Sequence, residues 1–192
     1  MGIEKEFPGV HSDIGGGYEN GNENKDEIIN GSEAVQKSRK DQLVAQGWFT
    51  DSQLIIHEYR RKLSSARYVK KTYSYLPLHF MSEYGIKSEL KIDDGQIILK
   101  YKISNDTLLK QVKGKLRPYI MGTGKPYNFR FYHEIHKQYE GSKIPEQRRA
   151  DYQRELDEQK NLRTLRNEYL HWSADYDWVG MDPREDGKRV IH

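Results

Sequence analysis

Residues 7–18 read F-P-G-V-H-S-D-I-G-G-G-Y, so that a histidine and an aspartate lie between one glycine and three consecutive glycines. Those three glycines can adopt positive φ and let the backbone pass close to another group, which larger residues would prevent. A titratable pair on such a turn is typical of a segment that presents an imidazole at a site. His11 is therefore the first candidate for a catalytic residue, with a glycine loop and an incidental surface histidine as the alternative. Asp13 is a candidate for orienting this turn through hydrogen bonds.

This run resembles the last catalytic motif of the type VI secretion phospholipase effectors, a bacterial family with an α/β-hydrolase-like catalytic domain. Two further stretches resemble the same family in the same order: residues 67–86, which contain Y-S-Y-L-P-L-H-F-M, and residues 166–191, which contain Y-L-H-W-S and M-D-P-R-E-D-G-K-R. The resemblance implies hydrolysis of a glycerophospholipid ester through an acyl-serine intermediate. It also implies that His11 is the general base, which takes the serine proton and returns it to the leaving group.

The pattern that would carry the nucleophile is missing. In the family, a G-F-S-R-G-A nucleophile elbow and a W-D-T-V aspartate precede the histidine motif, and the elbow holds its serine on a strained strand-to-helix turn. This sequence contains no G-x-S-x-G. We therefore expect residues 1–192 to be the C-terminal portion of such an effector domain, inactive without an upstream fragment that carries the serine and the acid. Asp13 is accordingly not expected to be the triad acid.

Other residues are weaker candidates. His171, within Y-L-H-W-S, is the second candidate for lining the site, and we expect it near the His11 turn because the family places both segments on one catalytic face; the alternative is a packed core histidine. His133 and His136 have a spacing that suits a shared metal on a helix. Their segment reads as extended, and no carboxylate or cysteine completes a ligand set, so neither a metal nor another cofactor is expected. The acidic cluster from Asp177 to Asp186 contains D-P-R-E-D-G, a pattern that predicts a turn.

The resemblance also implies partners and a location. A phospholipid or membrane surface, a secretion-spike protein and a cognate immunity protein are the expected partners. The family is delivered to the periplasm of target cells, and the polar start of this sequence predicts a cytoplasmic location in the producing bacterium. Two alternatives remain open. In the first alternative, the chain is a non-catalytic remnant that binds a secretion-spike protein or a membrane surface. In the second, it is an unrelated basic binding module.

Charge and composition bear on these alternatives. Residues 1–33 have a net charge of −6 and the rest of the chain has a net charge of +9. A basic body attracts anionic membranes or acidic proteins, but no nucleic-acid-binding motif accompanies it, so nucleic acid is not expected. Only 35% of the residues are hydrophobic, against about 45–50% in ordinary globular chains. That low fraction is expected of a piece that packs against further strands, and also of a domain with long polar excursions.

The periodicity of the apolar residues predicts a helix-rich α/β fragment of an α/β-hydrolase-like fold, with a few short strands or hairpins. Ser32 is expected to cap a helix that runs to residue 46, and Ser74 a helix that ends at Gly85. The buried face of the second helix is expected to consist of Leu76, Phe80, Met81 and Tyr84. The remaining expectations are a mobile polar loop at 19–33, a short strand at 54–56, a hairpin at 88–103 with its turn at 93–95, a strand at 126–133 and a long exposed helix at 145–171.

Overall fold

The computed structural model describes residues 4–139 and 144–172, which form a mixed fold of helices and short strands. The predicted mixture of the two element types is therefore confirmed. The elements are α1 (His11–Gly15), β1 (Gly21–Asn30), α2 (Glu33–Ala45), β2 (Leu54–His57), β3 (Lys62–Val69), α3 (Tyr75–Lys87), α4 (Asp94–Lys100), α5 (Thr107–Ile120), α6 (Tyr132–Gln138) and α7 (Glu146–Tyr169). Short 3-10 helices at Asp51–Gln53 and Lys71–Ser74 precede β2 and α3.

The three strands form one antiparallel sheet with the order β1-β3-β2. The β1–β3 register runs from Gly21 opposite Val69 to Asn30 opposite Lys62, with one shift in between. β2 pairs with the N-terminal half of β3, as far as Ser65. The central strand β3 also contacts α2 and α7, and most of its residues are therefore buried.

The prediction of a polar loop at 19–33 is wrong over residues 21–30, which form β1. Only Ile28 of this strand is buried, so its sequence carries almost no apolar signal. The strand forms because its backbone pairs with β3 and because Glu23 forms an ion pair with the buried Arg67. Such long-range partners override the low strand propensity of asparagine and glycine.

The helix predicted after Ser32 is confirmed as α2, and the short strand at 54–56 is confirmed as β2. The helix predicted after Ser74 is confirmed as α3, but it continues two residues beyond Gly85 to Lys87. Its face toward the core contains Leu76 and Phe80, as expected. Met81 is 68% exposed, so its predicted burial is wrong, because it follows Phe80 by one position and points about 100° away from it.

The hairpin predicted at 88–103 is wrong. The carboxylate of Asp93 accepts the N–H of Gln96 at 3.0 Å, so the expected turn residues instead begin helix α4. The strand predicted at 126–133 is also wrong: residues 126–131 form no strand, and α6 begins at Tyr132. Glu134 accepts the N–H of Phe131 at 2.7 Å and thereby caps α6. In both places a local side-chain cap determines the structure.

The long helix expected at 145–171 is present as α7, but it is exposed only in its first half. No side chain before Gln159 is buried, whereas Leu162, Leu165 and Tyr169 are. The larger hydrophobic cluster joins this second half of α7 to α3 and α5. A smaller cluster lies between α2 and the sheet and includes Trp172.

A buried histidine connects α3 to α5. His79 is 5% exposed, and its Nε2 donates to the carbonyl oxygen of Tyr101 at 2.9 Å. Its Nδ1 lies 3.1 Å from Nζ of Lys113, which donates to it. Burial, and then the positive charge of Lys113, lower the pKa of His79 below its usual range.

This arrangement predicts that the fold loses stability in mild acid. Because the pKa of His79 is lower in the folded state, the unfolded chain binds more protons below about pH 6.5, and stability falls as the pH drops through that range. The H79Q variant should show a smaller decrease in Tm between pH 7.5 and 5.5, measured by circular dichroism. The matched control is H133Q, at an exposed position, which should keep the wild-type decrease. An equal decrease in all three proteins would contradict this role of His79.

Candidate functional site

The His11 turn is built by its own glycines and by Asp13. Gly9 has φ +109° and Gly16 has φ +74°, both in the region that favours glycine. The short helix α1 lies between them, and Oδ2 of Asp13 accepts the N–H of Val10 at 3.0 Å, which caps its first turn. A Cβ on Gly9 would lie 3.1 Å from the Asp13 side chain and 3.1 Å from Leu170. The turn therefore needs glycine at that position in order to pack against the chain after α7.

His11 occupies the first position of α1 and is exposed. Within the described residues it forms no hydrogen bond, ion pair or ring contact. An exposed imidazole beside a rigid turn is available to a reacting group that approaches from outside this part of the chain. His11 is therefore accessible, as a general base would have to be. Its role as a base stays a prediction.

The buried carboxylate of Asp13 pairs with the half-buried imidazole of His171. Asp13 is 4% exposed, and its Oδ1 lies 2.7 Å from Nδ1 of His171. The backbone N–H of His171 also points at this carboxylate, with distances of 3.2 and 3.3 Å to the two oxygens. The two residues are 158 positions apart in sequence. The expected proximity of His171 to the His11 turn is therefore present as direct contact.

The ring of His171 is fixed on a second side by Tyr18. The two ring centroids are 3.6 Å apart and the planes differ by 22°, so the rings are stacked. A neutral histidine that donates from Nδ1 to a carboxylate has its lone pair on Nε2. Within the described residues Nε2 of His171 has no hydrogen-bond partner. Asp13 and Tyr18 thus orient an imidazole that can accept a proton.

The charge of Asp13 also affects the pKa values of Tyr73 and Arg67. The phenol of Tyr73 is buried, and its hydroxyl has no hydrogen-bond partner among the described residues. Burial, and then the negative charge of Asp13, raise the pKa of Tyr73 well above its usual range. Arg67 supplies the opposite charge. Burial lowers its pKa, whereas Glu23 and, more weakly, Asp13 act to raise it.

Several of these residues were missed by reasoning from the sequence. Tyr18 closes the glycine motif, and Arg67 and Tyr73 lie in the stretch 67–86 that resembles the effector family. Their presence in those stretches was the only signal that could have indicated them. Glu23 lies in the segment wrongly expected to be a loop and carries no signal.

The remaining candidates do not join this site. His133 stacks on Phe131, and Nδ1 of His136 lies 2.5 Å from the hydroxyl of Tyr152. Within the described part of the chain, no cluster of three or more histidine or carboxylate side chains is arranged to hold a metal ion. The acidic residues from Asp177 to Asp186 lie outside the described residues. No serine or threonine hydroxyl in the described ranges is hydrogen-bonded to His11 or His171.

Comparisons of the chain with protein-family models, with curated proteins and with solved structures found no match. Within residues 4–139 and 144–172, no helix combines the length and apolar character that a bilayer crossing requires. The geometry of the site is therefore the main support for any functional conclusion.

The Asp13–His171 contact predicts a measurable contribution to stability. The D13N variant keeps one acceptor oxygen but loses the charge, so it should destabilise the fold by roughly 1–3 kcal/mol in urea unfolding. Its matched control is D41N, which removes a carboxylate from an exposed i,i+4 pair with Lys37 and should cost less than about 0.5 kcal/mol. In NMR spectra, the Nδ1–H proton of His171 should be protected from exchange in the wild type and not in D13N. Equal stability of D13N and wild type would contradict the buried pair.

Proposed function

We propose that this chain is the histidine-bearing C-terminal part of a serine-dependent glycerophospholipid hydrolase of the type VI secretion effector kind, with an α/β-hydrolase fold in the complete domain. The observation that carries the proposal is the contact between Asp13 and His171. It joins the first and the last of the three stretches that resemble the family, although 158 positions separate the two residues. Chance likeness in two unrelated loops gives no reason for such a contact.

In the proposed reaction, His11 acts as the general base. Its imidazole takes the proton from a serine hydroxyl while that oxygen attacks the ester carbonyl carbon of the lipid, and it then protonates the departing alcohol. A water molecule, deprotonated by the same imidazole, releases the fatty acid from the acyl-serine. The serine and the triad acid come from a segment that this sequence does not contain.

Asp13 and His171 have positioning roles in this proposal. Asp13 caps the helix on which His11 lies and also accepts from the backbone N–H of His171, so hydrogen bonds to one carboxylate link the His11 turn to the residues after α7. A misplacement of about 1 Å in a reacting group can cost roughly 100-fold in rate. This explains why a buried carboxylate, which is costly to desolvate, lies beside the catalytic turn.

The biological setting belongs to the same proposal. A phospholipid of a target-cell membrane is the substrate, delivery to the periplasm requires a secretion-spike protein, and a cognate immunity protein protects the producing cell. The basic body of the chain supports contact with an anionic lipid surface.

The test is reconstitution of the hydrolase. The chain alone should not hydrolyse phospholipid above background, because an imidazole without a nucleophile has nothing to activate. Co-expression with a fragment that carries the serine elbow and the aspartate should restore hydrolysis, measured as fatty-acid release. H11A should then lower kcat by about four to six orders of magnitude, while the control H133A, at another exposed histidine, should keep the full rate.

Two results would contradict the proposal. Turnover by the isolated chain that a serine-directed inhibitor abolishes would show that the nucleophile lies in this sequence. An active reconstituted pair in which H11A is unaffected would show that His11 is not the base, and loss of activity in H171A would then assign that role to His171.

A further inference from the structure

Lys113 of α5 is a half-buried lysine whose hydrogen-bond acceptor is an uncharged ring nitrogen. Its Nζ donates to Nδ1 of His79 at 3.1 Å. Nε2 of the same ring donates to the carbonyl oxygen of Tyr101 at 2.9 Å, so the lone pair of the neutral imidazole is on Nδ1. Lys113 forms no ion pair with a carboxylate in the part of the chain that the structure describes. Its ammonium group therefore has no bonded counter-charge there.

Two carboxylates act on the charge of Lys113, but both are bonded elsewhere. Glu83 accepts from the two terminal nitrogens of Arg117 at 2.8 and 2.5 Å. Asp94 accepts from the hydroxyl of Ser82 at 2.7 Å. Burial, and then the charge of Arg117 one turn further along α5, lower the pKa of Lys113 below its usual range. The two carboxylates oppose this shift less strongly, so the site favours the neutral amine.

We propose that Lys113 is an acylation site, which takes a short acyl group from an acyl phosphate or a thioester. Desolvation and a neighbouring cation are the conditions that make a lysine amine nucleophilic. The lone pair of the neutral Nζ attacks the acyl carbonyl carbon, and the bond from that carbon to the phosphate oxygen or the thiol sulfur breaks. The leaving group keeps the bonding electrons and takes the proton that the nitrogen loses. The products are an amide on Lys113 and a free phosphate or thiol.

The contact with His79 favours acylation over other modifications of this amine. An amide nitrogen keeps one N–H to donate to Nδ1, and it carries no charge beside Arg117. A neutral imine, formed with an aldehyde, has no N–H and would leave Nδ1 of the buried ring without a donor. A protonated imine or a methylated amine keeps the positive charge. Of these products, only the amide satisfies the imidazole and also removes the repulsion.

This proposal does not rest on the proposed hydrolase activity, because acylation of Lys113 needs neither His11 nor a serine. The whole chain is incubated near neutral pH with acetyl phosphate and, in parallel, with acetyl-coenzyme A. Peptide mass spectrometry at low total modification then gives the rate at each lysine. The control within the chain is Lys110, which is exposed and lies one turn earlier on α5. Lys113 should react at least about threefold faster than Lys110, because its amine is desolvated and has no ion pair.

The two donors distinguish the sources of the acyl group. Preference for Lys113 with acetyl phosphate alone would identify an acyl phosphate as the donor, and preference with acetyl-coenzyme A alone would identify a thioester. Either result, or preference with both donors, supports the proposal. If Lys110 reacts as fast as Lys113 with both donors, the proposal is overturned.

R117Q tests the electrostatic basis of the site. It removes the repelling charge and releases Glu83 to pair with Lys113, so the ratio of the Lys113 rate to the Lys110 rate should fall at least about twofold. The matched control is K115Q, which removes a charge of the same helix that is paired with Glu158 at 2.6 Å, and it should keep the wild-type ratio. An unchanged ratio in R117Q, or an equal fall in K115Q, would overturn this basis. If R117Q does not fold by circular dichroism, the wild-type rates decide.

The contact with the imidazole gives a second readout that does not depend on reaction rates. The charge of Lys113 is one of the causes that lower the pKa of His79. Acetyl-lysine incorporated at position 113 should therefore raise the pKa of His79, measured by NMR titration of its ring protons. Acetyl-lysine at position 110 is the matched control and should leave that pKa unchanged. The same pKa of His79 in both acetylated chains would contradict the placement of the amide beside Nδ1.

Discussion

The guanidinium of Arg67 is the interaction on which the described fold depends most. Its side chain is fully buried, and a buried cation is tolerated only when its donors are satisfied and its charge is compensated. Nε donates to Glu23 of β1 at 2.6 Å, and Nη1 donates to the carbonyl oxygen of Trp48 at 2.7 Å. At the end of α7, the carbonyl oxygens of Arg166 and Leu170 accept at 2.9 and 2.7 Å. One side chain on the central strand thus holds three separate parts of the chain in place.

The position of the candidate site follows from these contacts. The chain leaves α7 at Leu170 in an extended conformation, and two carboxylates then hold successive backbone N–H groups. Asp13 accepts from His171, and Glu23 accepts from Trp172 at 2.8 Å. Because alternate residues of an extended chain face opposite sides, His171 turns toward the His11 turn while Trp172 packs into the smaller hydrophobic cluster. The strand β1, through Glu23, therefore contributes directly to the geometry of the Asp13–His171 pair.

Local signals in the sequence predicted some helices and missed others: α2 and α3 were expected, whereas α4 and α6, which begin at caps only a few residues away, were predicted to be strands. Ser32 and Ser74 directly precede α2 and α3, as expected, although neither side chain makes a capping hydrogen bond. The sequence also failed where the partners of an element are distant. β1 has one buried apolar residue and is held by pairing with β3, more than 30 positions away.

In the candidate site, too, some features could be predicted from the sequence and others could not. His11, Asp13 and His171 could be proposed because each lies in a recognisable motif. The partnership of Asp13 with His171, and the support from Arg67, could not be predicted because these contacts span 158 and 103 positions. Spacing along a chain does not show which distant segments a buried charge requires.

Three arginines of α7 and β3 donate to the carbonyl oxygens at and just after the C-terminal end of α2. The last carbonyls of a helix lack partners within the helix and carry a partial negative charge. Here the carbonyls of residues 45, 46 and 48 accept from Arg163, Arg166 and Arg67, respectively. Gly47 permits this approach, since a Cβ on it would lie 2.4 Å from the side chain of Arg163.

The three arginines differ in the number of protein oxygens to which they donate. Arg67 and Arg163 donate to several protein oxygens, whereas Arg166 donates to a single carbonyl. The carbonyl oxygen of Arg166 also accepts from Arg67, which donates to the carbonyl of Leu170 as well. Because the side chain of Arg166 donates to Gln46, one residue of α7 joins the end of α2 to the arginine that holds the peptide before His171.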